Sequence, residues 1–305
     1  MSIAPATYTP TAPSRWIDID GPVHYVDHGG PVDAPLLVCV HGLGGSHANW
    51  AALAPLLTDH YRVLALDLAG FGLTAGSPRS ASVEGNRELL HRFLTALTDR
   101  PAILVGNSMG GLITALQAAE EPQTVSAAVL IDPALPLPIG LPDRMVLSTF
   151  APYGLPGPVR RAVAGRRKTP AVGSSALVQL LRLILAEPSR VSQDLIDQHI
   201  ALARQRSTVP NTDTDSLTAA RSLAWTLARR RRYAAMLRRL TMPVMLIHGE
   251  RDRLIPLRAA RLAAAANPSW RFEVATGVGH VPMLEAPVWT AGRLLNWLPT
   301  ALATA

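Results

Sequence analysis

The five residues Gly106-Asn107-Ser108-Met109-Gly110 restrict the fold of this chain more than any other stretch does. They follow an apolar run, 102–105, that predicts a short strand, and they precede an apolar helical pattern over 111–119. A strand that turns sharply into a helix at a serine strains that residue, so side chains two positions away on either side would clash. Glycines occupy both positions. The setting predicts that Ser108 is a nucleophile on a strand–turn–helix elbow, rather than an ordinary serine at a glycine-rich helix start.

Apolar strand runs alternate with helical patterns over most of the chain. The run Leu36–Val40 is continuously apolar, as is typical of a strand covered on both faces, and 61–66 is predicted to be another buried strand. Helical spacing of apolar residues predicts a helix over Val83–Leu97, and a turn at Asp20-Gly21 predicts a hairpin. Further strands are predicted at 127–131, 244–248 and 271–275, and further helices at 50–57, 194–206, 216–232 and 288–298. This alternation predicts an α/β fold with a mostly parallel central sheet wrapped by helices.

The strand pattern is missing between residues 134 and 240. Proline-rich loops lead there into helical patterns, and strand patterns return at residue 244. We therefore predict a core domain built from residues 1–133 and 241–305, and a helical cap formed by 134–240. Several apolar residues of the cap are candidates for lining a substrate pocket, although helix packing explains each of them as well: Met145, Phe150, Leu177, Leu181 and Trp225.

A serine hydroxyl is a weak nucleophile that needs a base and an orienting acid. His280 is the candidate base because it lies in a glycine-bounded loop after the last predicted strand. Asp252 is the preferred acid because it follows the preceding strand, and the carboxyl ends of parallel strands share one edge of a sheet. Asp132, directly after an earlier strand, is the alternative acid. The expected triad is therefore Ser108, Asp252 and His280.

Acyl transfer also needs two backbone N–H donors for the oxyanion that forms at the substrate carbonyl. Met109 follows the candidate nucleophile and begins the predicted helix, so its N–H is one expected donor. The glycine-rich loop 41–45 follows the strand Leu36–Val40, and Leu43 within it is the expected second donor. A plain turn is the alternative interpretation of that loop.

Together these segments resemble the α/β-hydrolase superfamily, and the resemblance covers nearly the whole chain outside 134–240. The matching segments are 41–50, 67–72, 106–110, 248–252 and 279–287. Ala69 stands where members commonly carry proline in a D-x-P-G-x-G segment, a difference that should not affect the chemistry. The resemblance implies the α/β-hydrolase fold, a serine-hydrolase triad in the order serine, acid, histidine, and a cap at the position of the insertion.

A serine nucleophile with a histidine base indicates acyl transfer to water. We expect hydrolysis of carboxylic esters, with short to medium or lipid-like acyl chains, as in esterases and lipases. The elbow is also similar to that of hydrolases that cleave carbon–carbon bonds of ring-fission products, which is the second expectation. Those enzymes typically carry tryptophan just after the histidine, where this chain has Val281. A non-catalytic, ligand-binding member of the fold is the alternative of another class.

Positive charge is concentrated in one part of the chain. The net charge is +7, yet residues 151–240 hold 16 basic and five acidic residues, and the remainder holds 13 basic and 17 acidic ones. We interpret three basic clusters first as solvated helix surface: 160–161, 166–168 and 229–232. The more specific alternative is contact with anionic lipid. No nucleic-acid recognition motif accompanies the charge, so a nucleic-acid partner is not expected.

The remaining composition indicates a soluble, cytoplasmic protein that acts on a small molecule. The single cysteine, Cys39, excludes a disulfide framework. Residues 1–14 lack the basic start and apolar segment of a secretory signal, and no stretch approaches the roughly 18 apolar residues of a membrane span. No motif indicates a metal or a cofactor, and the sequence leaves the oligomeric state open.

Overall fold

One eight-stranded sheet forms the centre of the part of the chain that the computed structural model describes, residues 12–136, 183–209 and 211–303. Its strands lie in the order β1-β2-β4-β3-β5-β6-β7-β8. They are β1 (Ser14–Asp18), β2 (Pro22–Gly29), β3 (Leu36–Val40), β4 (Arg62–Leu66), β5 (Ala102–Asn107), β6 (Val125–Ile131), β7 (Val244–Gly249) and β8 (Arg271–Ala275). Strand β2 is antiparallel to β1 and to β4, and all other neighbours are parallel. The predicted, mostly parallel sheet is therefore confirmed.

Helices connect most of the parallel strands, and two more follow the last strand. They are α1 (Val83–Leu97), α2 (Met109–Glu120), α3 (Gln193–Arg206), α4 (Thr212–Ala228), α5 (Arg230–Leu237), α6 (Leu257–Ala266), α7 (Pro282–Glu285) and α8 (Pro287–Ala303). Short 3₁₀ turns lie at His47–Trp50, Ala54–Leu56, Pro122–Thr124 and Pro188–Arg190. Within the described ranges, no helix has both the length and the hydropathy needed to cross a bilayer.

Both faces of the central strands are buried. Alternate side chains of a strand point to opposite faces, so Val38 and Val40 of β3 pack with helices α1, α2, α5 and α6. On the other face, Leu37 and Cys39 pack with the first two 3₁₀ turns and with α8. This double cover explains why the central strands are continuously apolar. It also leaves the carboxyl edge of the parallel strands as the place where functional loops gather.

Two predicted helices are wrong in detail. Residues 50–57 do not form one helix but parts of two 3₁₀ turns; Pro55 lies at the start of the second, where its missing N–H is tolerated. The predicted helix 216–232 is interrupted at Arg229, whose backbone at φ −88° and ψ 53° separates α4 from α5.

Helices α3, α4 and α5 lie between β6 and β7, in the region of the predicted cap. Four of the pocket candidates named above and two of the basic clusters fall outside the described residues: Met145, Phe150, Leu177, Leu181, 160–161 and 166–168. The division into core and cap therefore stays a prediction. The OH group of Tyr233 on α5 donates a hydrogen bond of 2.7 Å to the carbonyl of Ala134, which attaches α5 to the carboxyl end of β6.

Candidate active site

Ser108 lies at the sharp turn between β5 and α2. Its backbone adopts φ 56° and ψ −119°, a strained conformation for a residue with a side chain. A Cβ atom at Gly106 would lie 2.4 Å from the carbonyl oxygen of Gly110, and one at Gly110 would lie 2.1 Å from that of Val40. The spacing of glycines around the serine is thus a steric requirement of the turn.

His280 and Asp252 come together at the carboxyl edge of the sheet. The ring Nδ1 of His280 lies 2.7 Å from Oδ2 of Asp252, and both side chains are buried. The other carboxylate oxygen accepts hydrogen bonds from the backbone N–H groups of Leu254 and Ile255, at 2.7 and 3.0 Å. Burial opposes ionisation of Asp252, but the His280 charge and these hydrogen bonds outweigh it and lower the pKa of the carboxyl. Because Nδ1 donates to Asp252, Nε2 is the ring atom left to act as a base.

The alternative acid, Asp132, is buried at the same edge. One oxygen each from Asp132 and Asp252 and a ring nitrogen of His280 lie within 4.8 Å of one another. Oδ1 of Asp132 accepts a hydrogen bond of 2.8 Å from the backbone N–H of Gly249. Burial, followed by the negative charge of Asp252, raises the pKa of Asp132 well above its usual range. Of the two acids, Asp252 is the one that hydrogen-bonds to His280.

His248 lies beside this pair of carboxyl groups. Its Nε2 donates to the carbonyl oxygen of Ile255 at 2.8 Å, and its Nδ1 lies 3.4 Å from Oδ1 of Asp132. Burial lowers the pKa of His248, so the ring is neutral near pH 7. The sequence had placed His248 at a strand end without giving it a role.

Glu285 holds the His280 loop in place, a function that the sequence did not predict. Its buried carboxylate accepts hydrogen bonds from the backbone N–H groups of Gly279, Ala186 and Glu187, at 2.9, 3.0 and 2.9 Å. The backbone N–H of His280 also donates to the carbonyl oxygen of Ile184, at 2.7 Å. A glutamate five residues after the histidine was visible in the sequence, but its burial was not.

The two expected oxyanion donors have free backbone N–H groups. Among the described residues, neither Leu43 nor Met109 donates its N–H to another group. The loop that carries Leu43 packs directly on the turn at Ser108, since a Cβ at Gly42 would lie 2.8 Å from Cβ of Ser108. Met109 is the first residue of α2, where N–H groups have no partner inside the helix.

A cavity of about 260 Å³ opens between these groups and the helices that follow β6. Ser108, His280 and Leu43 line it together with side chains that are mostly apolar, among them Ile184, Val191, Ile196, Leu223 and Leu227. Trp225, a candidate for either pocket lining or helix packing, is not among the residues that line this cavity. It is 61% exposed, and the guanidinium of Arg229 stacks on its ring at 3.9 Å from the centroid.

Asp67 forms a second buried polar cluster next to the site. Its carboxylate accepts from Nδ1 of His24 and Nδ1 of His47, both at 2.8 Å, and from the backbone N–H groups of His47 and Leu73, at 2.7 and 2.9 Å. Burial opposes ionisation, but the charge of His47 and the hydrogen bonds from both histidines outweigh it, so the pKa of Asp67 lies far below its usual range. This cluster fixes the loop after β4 against the turn His47–Trp50.

In the part of the chain that the structure describes, two buried groups offer the side chains that metals prefer: His24, His47 and Asp67 in one, and Asp132, Asp252 and His280 in the other. A zinc ion would lie about 2.0–2.2 Å from each ligand atom. In both groups, however, the histidine Nδ1 atoms lie 2.7 or 2.8 Å from a carboxylate oxygen, which is hydrogen-bond distance. Hydrogen bonding accounts for both groups without a metal.

The chain belongs to the alpha/beta hydrolase fold family, whose model matches residues 35–287. The resemblance inferred from the motifs is thereby confirmed, together with the fold class.

Relatives within this family differ in the reactions they are named for. Lipase 1 of Psychrobacter immobilis is 26% identical over 265 residues, covering 86% of this chain and 76% of the relative. The 2-hydroxy-6-oxo-6-(2'-aminophenyl)hexa-2,4-dienoic acid hydrolase of Metapseudomonas resinovorans is 24% identical over 271 residues, covering 86% of this chain and 83% of the relative. The crystal structure of Cfl2 from Burkholderia cenocepacia superimposes with a TM-score of 0.78 at 23% identity, covering 93% of this chain and 95% of Cfl2. The family and the two named relatives support a hydrolase, and the similarity to Cfl2 shows the fold alone.

Proposed function

We propose that this hydrolase cleaves carboxylic esters through a triad of Ser108, His280 and Asp252. One observation carries the proposal: a strained serine on the strand–helix turn lines the same cavity as a histidine whose Nδ1 lies 2.7 Å from a buried carboxylate. Serine, base and orienting acid are the three groups that nucleophilic acyl transfer requires.

In the first half of the reaction, Oγ of Ser108 attacks the ester carbonyl carbon and its proton passes to Nε2 of His280. The negative oxygen that develops accepts hydrogen bonds from the N–H groups of Leu43 and Met109, which are free to donate. The C–O bond then breaks, and the alcohol leaves with the proton from His280. Asp252 keeps Nδ1–H of the ring oriented and stabilises the imidazolium that forms in between.

In the second half, His280 removes a proton from water, which attacks the acyl group on Ser108. The same two N–H groups hold the second oxyanion, and collapse releases the carboxylic acid and the free serine. The mostly apolar lining of the cavity fits an acyl or alkyl chain better than a polar one, which favours short to medium or lipid-like esters as substrates.

Carbon–carbon bond hydrolysis is the second candidate, and the similarity to the Metapseudomonas resinovorans enzyme favours it. Val281 lies directly after the candidate base and lines the cavity, where we expected tryptophan in that class. We therefore place ester hydrolysis first. Release of acid and alcohol from simple esters, measured beside turnover of a ring-fission dienoic acid, separates the two candidates.

The discriminating experiment measures the hydrolysis of p-nitrophenyl esters by the wild type and by Ser108→Ala. We expect turnover that favours short to medium acyl chains and falls at least ~10³-fold in the variant. A fluorophosphonate probe should label the wild type and leave the variant unlabelled. Equal turnover by both proteins would contradict the triad, and absence of turnover with unlabelled wild type would favour a ligand-binding member of the fold.

We also propose that residues 134–240 form a cap over the cavity and that its basic surface contacts anionic lipid. Helices α3 and α4 support the first part, because Ile196 and Leu223 on them line the cavity. The exposed cluster 229–232 beside the exposed, apolar Trp225 supports the second.

A further inference from the structure

Two buried carboxyl groups share the space behind His280. Asp132 and Asp252 are 0% and 8% exposed, and oxygens of both lie within 4.8 Å of each other and of the His280 ring. Two ionised carboxylates at such a distance, away from water, repel each other strongly. One of the two therefore holds a proton near neutral pH.

The hydrogen-bond donors around the pair decide which carboxyl holds it. Asp252 accepts from three N–H groups, those of His280, Leu254 and Ile255. Asp132 accepts from one N–H, that of Gly249, and its Oδ2 has no donor among residues 12–136, 183–209 and 211–303. Donors favour the ionised form, so Asp252 is the anion and Asp132 is the acid.

The other titratable groups around the pair do not change this assignment. His248 faces Oδ1 of Asp132 with a neutral ring, because burial lowers its pKa and its Nε2–H is committed to a carbonyl oxygen. Glu285 adds a further negative charge nearby, which again favours a protonated Asp132. His280 is the cation of the catalytic cycle, and its Nδ1 faces Asp252.

We propose that Asp132 is a positioning residue that keeps a proton and donates it as a hydrogen bond from Oδ2 to the Asp252 carboxylate. This inference rests on the proposed triad and places a supporting residue behind its acid. The extra donor disperses the negative charge of Asp252 and thereby moderates the basicity of His280. It also holds the carboxylate plane, so that Oδ2 of Asp252 stays 2.7 Å from His280 Nδ1.

Two variants of similar size test the role in opposite ways. Asparagine at position 132 keeps an acceptor for Gly249 and supplies an N–H donor to Asp252, so Asp132→Asn should match the wild type in kcat/KM within ~3-fold and in its pH profile. Leucine removes both the acceptor for Gly249 and the donor to Asp252. In Asp132→Leu the full charge of Asp252 acts on His280, so the acid limb of the kcat/KM profile should move upward by about one pH unit, which is a tenfold change in the proton equilibrium.

The opposite assignment of the proton, to Asp252, predicts a different result for Asp132→Asn. If Asp132 were ionised and Asp252 protonated, Asp132→Asn would remove a negative charge from the site. The acid limb would then move downward, and kcat would fall by orders of magnitude as in a triad that has lost its acid. Either outcome overturns the proposal, as would an Asp132→Leu profile that coincides with that of the folded wild type.

A measurement that does not depend on turnover can test this inference independently of the proposed function. The infrared C=O stretch of a protonated carboxyl should be present at pH 7 in the wild type, present in Ser108→Ala, and absent in Asp132→Asn. A band retained in Asp132→Asn would refute the assignment. If the band shows the expected pattern but no ester is hydrolysed, the protonation of Asp132 is supported and the proposed function is contradicted. Asp132→Leu is compared only after its thermal unfolding shows a folded protein.

Discussion

The Nδ1 atom of His280 lies 2.7 Å from Oδ2 of Asp252, although the two residues come from loops after different strands. Replacing the acid by its amide would leave the packing nearly unchanged and allow the imidazole to adopt the wrong tautomer. We expect Asp252→Asn to lower kcat for ester hydrolysis by roughly 10³–10⁴-fold with a small change in KM. Steady-state kinetics on a p-nitrophenyl ester gives both values; kcat within tenfold of the wild type would show that His280 does not depend on Asp252.

Asp67 should contribute to stability rather than to chemistry. Asp67→Asn replaces an acceptor of four hydrogen bonds by a group that can accept on one atom only, which leaves buried donors without a partner. Breaking a buried ionic cluster in this way costs about 3–5 kcal/mol of unfolding free energy. Urea unfolding at pH 7 measures the difference, and a loss below about 1 kcal/mol would contradict the structural role.

The same residue makes a prediction about pH. Its pKa is depressed in the folded protein, so the unfolded chain binds more protons than the folded one below about pH 4, the ordinary range of aspartate. The contribution of Asp67 is complete at neutral pH and is lost as the pH falls below that range. The difference in melting temperature between the wild type and Asp67→Asn should therefore shrink between pH 6 and pH 3. A constant difference would show that the charge of Asp67 is unimportant.

Gly42 allows the loop of Leu43, the proposed oxyanion donor, to approach Ser108 closely. In Gly42→Ala the new methyl group would meet Cβ of Ser108 at 2.8 Å, and one of the two must shift. Misplacement by about 1 Å costs on the order of 10²-fold in rate. Gly292→Ala is the matched control, since a Cβ there meets nothing within 4 Å. We expect kcat to fall about 10²-fold in the first variant and to stay unchanged in the second.

Glu285 should contribute both to the stability of the fold and to activity. In Glu285→Gln the amide NH₂ must face at least one of three backbone N–H donors, because the carboxylate uses both oxygens to accept from them. One donor left unpaired costs about 1–3 kcal/mol, and the loop of His280 loosens with it. The variant should unfold at lower urea concentration and show a lower kcat. Reduced stability with full kcat would mean that the loop geometry does not depend on this contact.

Binding to lipid can be tested on the exposed side of α5. Arg231 and Arg232 are exposed, and a basic residue near an anionic surface is worth about 1 kcal/mol. Sedimentation with anionic phospholipid vesicles at low salt should show binding that weakens about tenfold or more in Arg231→Gln/Arg232→Gln, with esterase activity unchanged. Equal binding to neutral and anionic vesicles would contradict the proposed contact.

Much of the fold could be predicted because its signals are local. The glycines around Ser108 and the continuous apolar strands follow from sterics and double burial, which the sequence displays directly. Trp225 was misjudged because helical spacing does not tell which face of a helix is buried. The break at Arg229 was missed because no glycine or proline signals it.

The order of residues along the chain predicted the candidate site residues but not all of their contacts. Two acids follow neighbouring strands; chain order favoured Asp252 and left Asp132 as the alternative, and the structure shows the hydrogen bond of His280 to Asp252. The contribution of Glu285 depends on contacts with residues 186 and 187, about a hundred positions earlier in the chain. Such contacts leave no pattern in a single sequence.

The contacts of Glu285 and the His280 backbone with residues 184–187 also determine how chimaeras between relatives should be cut. An exchange of the insertion that ends before residue 184 retains the native partners of the His280 loop, whereas a junction beyond 187 replaces them with foreign chain. The first design also keeps the cavity residues from Ile184 onward, so it changes neither them nor the partners of the His280 loop, while the second would replace most of that lining and displace the histidine together.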